Sequence, residues 1–247
     1  MSDDSQHVIR IPGSEGGEPT AFTFEEAAQE IEEVFERQLK ERDGDLMETV
    51  SMMVSFYGRF GRPEQAIQRI KELLGELDNP EERASIFFSL GQLSEGANDY
   101  ESAASFYQSA HEMGRFDDFY WYFIHNNLGY SLNQLEMPED AEEYLRVAIE
   151  VDPGRCNAFK NLGLSHYLRE QYADAAICFV DATAVNPRDG RSFHHLSQLL
   201  QEHPEVLEEV SHLAEDLESC RRAVKTVNSG NSDFESIWRD LRARQSN

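Results

Sequence analysis

The stretch from Lys160 to Asp189, KNLGLSHYLREQYADAAICFVDATAVNPRD, restates at an offset of 34 residues the stretch from Asn126 to Arg155, NNLGYSLNQLEMPEDAEEYLRVAIEVDPGR. Leu128-Gly129 returns as Leu162-Gly163, Ala141 as Ala175, Ala148 as Ala182, and Pro153 as Pro187. A fixed period of this length marks a solenoid, because one such unit cannot bury its apolar face alone and must stack on its neighbours. Each unit reads as two helices. The first, helix A, carries Leu-Gly; the second, helix B, carries two alanines seven apart and ends at a proline. Small residues suit places where helices cross closely: Gly129 and Gly163 admit helix B, and Ala148 and Ala182 admit the next helix A.

These residues resemble the tetratricopeptide repeat (TPR), a helix-turn-helix unit of 34 residues. In that register the units run 122–155 and 156–189, with Phe159, Leu162, Gly163, Ala175, Phe179, Ala182 and Pro187 matching in the second. In the first, Leu145 replaces the usual aromatic. A unit at 84–117 keeps Leu90, Gly91, Ala103, Tyr107 and Ala110 and is followed by a four-residue insertion. A weaker one at 47–80 keeps Tyr57, Ala66, Ile70 and Pro80, with Val54 for the glycine. Gly190 to Gln201 reads as a fifth helix A, and Pro204 to about Thr226 as a capping helix. The resemblance covers about residues 44–226 and implies an all-α fold: a right-handed α-solenoid of TPR helix-turn-helix repeats with flanking capping helices.

Outside the array, residues 1–22 form an acidic, Gly-rich segment in which no regular structure is expected. Residues 23–43 open on a capping box at Thr23 and Glu26 and carry Phe24, Ala27, Ala28, Ile31, Val34, Phe35 and Leu39 at helical spacing, a helix to cover the N-terminal end of the array. Residues 227–247 hold a linker, with a break at 228–232, and then a basic amphipathic helix opening at Ser232, with Phe234, Ile237, Trp238 and Leu241 on one face and Arg239 and Arg242 beside it. This helix either closes the last repeat or binds elsewhere.

The formal charge is −25, from 47 acidic and 22 basic side chains, which repels a phosphate backbone and argues against nucleic acid as a partner. No apolar run is long enough for a membrane span. The N-terminus lacks the basic-then-apolar order of a signal peptide, and three cysteines without paired spacing suit a reducing compartment, so a cytoplasmic location is expected. A search for chemistry finds no phosphate loop, no HExxH, no CxxC and no GxSxG motif. His194 and His195 are adjacent and point about 100° apart on a helix, which disfavours a shared metal. Cys156, at the head of a helix A, reads as an inert, partly buried thiol. Pairs such as Glu142-Glu143 and Glu208-Glu209 read as solvated faces. Neither catalysis nor a cofactor is expected.

The resemblance places the partner-binding surface on the concave side, through places 2, 5, 6 and 9 of each helix A. These are Ser85, Phe88, Ser89 and Gln92; Phe123, Asn126, Asn127 and Tyr130; Asn157, Lys160, Asn161 and Leu164; and Arg191, His194, His195 and Gln198. None of the sixteen is acidic, where about three would fall by chance. Amides can hold a peptide backbone without demanding a sequence, and Lys160 and Arg191 favour a carboxylate or acidic side chain. The arrangement partly resembles the TPR carboxylate clamp, which wants Lys, Asn, Asn, Lys and Arg. Asn126, Tyr130, Asn161, Arg191 and His195 stand in those places, one identity and one conservative change. The expected function is therefore a non-enzymatic adaptor or assembly factor that holds a protein or peptide segment in this groove. A dedicated client chaperone of the secretion type and a scaffold that self-assembles through the basic tail are the alternatives.

Overall fold

The computed structural model describes residues 8–11, 20–23, 29, 31–35, 37–38, 46–60 and 63–227. Its array is built from helices α1 (Leu46–Phe60), α2 (Pro63–Leu74), α3 (Pro80–Gly96), α4 (Tyr100–Glu112), α5 (Asp118–Gln134), α6 (Pro138–Val151), α7 (Cys156–Leu168) and α8 (Tyr172–Val185). It is completed by α9 (Gly190–Glu202), the single turn α10 (Val206–Glu209) and α11 (Leu213–Val227). Each A helix packs on its own B helix and on the B helix before it, the stacking order of a solenoid.

The glycines work as their spacing implies. A Cβ built at Gly91 would stand 2.5 Å from Tyr107 Cε1, one at Gly129 2.5 Å from Leu145 Cγ, and one at Gly163 2.6 Å from Phe179 Cε1. One place in helix B thus presses a large side chain onto the bare backbone of helix A, and Leu145 fills the aromatic's position in its unit. All three large side chains are buried.

Within each of the three central units the A-to-B turn closes the same way. Asn98, Glu136 and Glu170 adopt φ of 61°, 58° and 58°. The next residue's N–H then reaches back to the helix: Asp99 to Ser94 O, Met137 to Leu132 O and Gln171 to His166 O. This is the Schellman closure, which usually places glycine at the left-handed position.

The four-residue insertion before unit 122 is helical: residues 118–121 form the first turn of α5, capped by Asp117, whose carboxylate accepts from Tyr120 N at 2.8 Å. Two expectations need correction. The single capping helix read from Pro204 is broken into α10 and α11 at Val210–His212, with His212 at φ 67°. The pair still closes the core against α8, where Leu213, Leu217, Cys220 and Val224 are buried with Ala176 and Phe179. In the N-terminal segment expected to lack regular structure, Val8–Ile11 pairs antiparallel with Thr20–Thr23, in a register that sets Val8 opposite Thr23. Their β-branched residues favour strand over coil.

Thr23 is the last residue of that pair; the rest of its expected capping box lies outside the described residues, and helical backbone is present at residues 31–35. There Phe35 is buried, with its ring 5.8 Å from Phe56 and 6.4 Å from Tyr57 of α1. Phe234, Ile237, Trp238, Arg239, Leu241 and Arg242 lie outside the described residues, as does the tail helix to which they were assigned.

Candidate functional site

The A helices α3, α5, α7 and α9 together wall a polar cavity of about 460 Å³. Eight of the residues expected to bind line it: Asn126, Asn127, Tyr130, Asn157, Lys160, Asn161, Arg191 and His195. Leu164 completes the expected face. Two further lining residues, Glu95 and Gln134, were not anticipated. Both continue the same helical stripe, Glu95 three residues after Gln92 and Gln134 four after Tyr130, so periodicity extended by one turn finds them.

The floor is a chain of hydrogen bonds. Asn161 Nδ2 donates to Asn126 Oδ1 at 3.1 Å, Asn126 Nδ2 to Asn127 Oδ1 at 2.9 Å, and Asn127 Nδ2 to the Tyr107 hydroxyl oxygen at 3.3 Å. The Tyr107 hydroxyl donates onward to Glu95 Oε2 at 2.8 Å. Behind the floor, Asn133 Nδ2 donates to Asn161 O at 2.8 Å and Ser165 Oγ donates to Asn133 Oδ1 at 2.8 Å, which joins α5 to α7. Burial raises the pKa of Glu95, and the Tyr107 hydroxyl partly opposes this. The acid contradicts the acid-free groove expected from places 2, 5, 6 and 9 alone.

The opposite wall is cationic. Arg191 donates from Nε and Nη2 to the Asp189 carboxylate at 2.8 and 2.5 Å, and from Nη2 to Asn157 Oδ1 at 3.2 Å. Beside that guanidinium, Asp189 is held at a pKa of about 2. Lys160 is only 9% exposed, and burial, then Arg191, depresses its pKa. His195 stacks on Phe179 at 5.4 Å, and burial likewise lowers its pKa.

The remaining expected residues lie off the cavity's lining. Phe88 is drawn into the core because the extra turn of α5 brings Tyr120 over it, ring to ring at 5.6 Å, opposite Tyr107 at 5.8 Å. Gln92 and His194 are exposed, and Gln198 donates to Glu202 at 3.1 Å. Phe123 is half-buried beside Phe119, with the Arg155 guanidinium 4.9 Å above its ring.

A tetratricopeptide-repeat sequence profile matches residues 124–155, the unit that forms the cavity's centre. Solved structures agree over most of the chain. BtubC from P. vanneervenii superposes with a TM-score of 0.62 at 22% identity, covering 83% of this chain and 91% of its own. MamA (41-end) from Desulfovibrio magneticus RS-1 gives 0.57 at 19%, covering 76% and 99%. Residues 124–155 thus match a tetratricopeptide repeat, in a chain that shares the helical-repeat fold of these structures. YrrB, described as a TPR protein with an unusual peptide-binding site, gives 0.53 at 17%, covering 83% and 97%. These identities speak for the shared fold alone. A search of curated proteins returns no match.

Among the described residues no three His, Cys, Asp or Glu side chains are placed to hold a metal, and no helix is long and apolar enough to cross a membrane. The free thiols are subdued: burial raises Cys156, pushes Cys178 up to about 12 and Cys220 up to about 11. On the α4–α5 contact, His111 Nδ1 lies 3.2 Å from His125 Nε2, and His125 Nδ1 lies 2.7 Å from Trp121 O. A carbonyl can only accept, so His125 carries its proton on Nδ1 and accepts from His111 at Nε2. Burial pushes His125 down to about 4.

Proposed function

We propose that the protein is a non-enzymatic interaction module, an adaptor or assembly factor, and that the cavity holds a segment of a partner protein. The single observation that supports this reading is the convergence of four successive A helices on one polar cavity whose amides are presented in a row. Such amides can pair with the N–H and C=O groups of an extended backbone. The volume suits a few residues of peptide rather than a protein face. YrrB, of the same fold, is described as having a peptide-binding site, which lends the reading support by analogy of architecture.

Asn127 and Asn157 are the residues to change, since both are partly exposed and neither fills the core. The Asn127→Ala/Asn157→Ala double variant of the full chain should unfold at nearly the wild-type temperature and lose the partner that the wild-type chain recovers stoichiometrically from its native host. Equal recovery by both proteins overturns the assignment.

A further inference from the structure

The cavity is charged oppositely at its two ends. Glu95 on α3 stands at one, Lys160 on α7 and Arg191 on α9 at the other, with the amides of α5 and α7 between them. Arg191 is already satisfied by Asp189 and Asn157. Lys160 is not. As a residue it is 9% exposed; its ammonium borders the cavity and makes no hydrogen bond or ion pair among the described residues, with Asp189 attracting it from beyond ion-pair distance. A buried cation without an acceptor is costly, and an arriving anion offsets that cost. Beside it, Asn161 Oδ1 is buried without a hydrogen-bond partner. At the other end, the Glu95 carboxylate accepts one hydrogen bond, from Tyr107, and faces no cation among the described residues. A purely anionic ligand would leave this end unmet, and a purely cationic one would leave Lys160 unmet.

Resting on the reading of the cavity as a peptide groove, we infer that the segment it holds carries both charges: an acidic group seated at Lys160 and a Lys or Arg side chain seated at Glu95. Neighbouring helices stand about 8–10 Å apart, so α3 and α7 lie about two spacings apart. An extended chain rising about 3.3 Å per residue spans this with its two charges about five to six residues apart. The intervening backbone lies against Asn126, Asn127 and Asn157. The acid at Glu95 distinguishes this site from one that reads a carboxylate alone.

The test selects binders for the full chain from a phage-displayed library of random linear peptides, followed by calorimetry on the synthetic hits. The hits should share a basic and an acidic residue at that separation. Glu95→Gln and Lys160→Met should each weaken binding at least tenfold. In Lys160→Met, neutralising the peptide's acid should cost nothing further; in Glu95→Gln, neutralising its base should cost nothing further. Hits with one sign of charge, or hits whose affinity ignores Glu95→Gln, overturn the inference while leaving the groove standing. Should the library yield no peptide, or only peptides that bind the Asn127→Ala/Asn157→Ala variant equally well, the groove itself is refuted.

Discussion

Adding one methyl at Gly163 tests the packing that builds the array. The new Cβ would lie 2.6, 2.8 and 3.1 Å from Cε1, Cδ1 and Cζ of Phe179, where contacts of 3.4 Å or more are ordinary. The Phe179 ring is 1% exposed and backed by the stacked His195 imidazole, so it has little room to retreat. Overpacking of this kind costs about 1–3 kcal/mol. Against it stands the intrinsic gain of Gly→Ala in a helix, about 1 kcal/mol. Gly163→Ala should therefore lose up to about 2 kcal/mol net, read from the midpoint of urea unfolding followed by circular dichroism. Gly96, at the exposed end of α3, provides the control: nothing lies within 4 Å of its Cβ position, so Gly96→Ala should gain stability. Phe179→Ala alone should cost about 3–5 kcal/mol through the cavity it leaves. Combined with Gly163→Ala, whose methyl then has space, the loss should fall short of the sum by about 1 kcal/mol or more. Stabilisation by Gly163→Ala, or additivity in the cycle, would refute the argument that bare backbone at this place is what lets helix B dock.

The left-handed turns make a second prediction: Glu136→Gly and Glu170→Gly should each raise stability by up to about 1 kcal/mol, seen as additive rises in melting temperature. For His125, the folded pKa of about 4 lies below its ordinary value of 6.5. The unfolded chain binds the proton first, so stability should fall as pH drops from about 6.5 towards 4, and nitrogen-15 spectra should show a neutral, Nδ1-protonated ring until the lower end of that window. Glu95 has the opposite sign. Its pKa is raised, so the folded state holds the proton longer and stability declines as pH rises from 4.5 through its folded value. Tyr107→Phe, which removes the opposing hydrogen bond, should push the Glu95 titration higher still in carboxyl carbon-13 spectra.

Legibility in the sequence followed physical necessity. Gly163 and Ala182 had to be small because helices cross there, and so the period could be read without coordinates. Asn161 and Lys160 sit on the other side of the same helix, and their placement followed once the core face was fixed. Glu95 and Gln134 escaped because the binding stripe was stopped one turn short. Phe88 was misplaced because the insertion at residues 118–121 lengthened α5 and carried Tyr120 over it, a consequence of where four added residues join a helix. The break at His212 and the Asn133–Ser165 pairing rest on backbone angles and long-range contacts that no local pattern encodes.

The proposed groove puts the partner in the A-helix cavity and not on the outer B-helix surface. Site-specific photocrosslinking in the native host tests it most directly, with benzoylphenylalanine placed at Asn157 on α7 or at the exposed Ile177 on α8. A partner held in the cavity should give one discrete adduct from position 157 and none from 177. An adduct from 177 with none from 157 would contradict it.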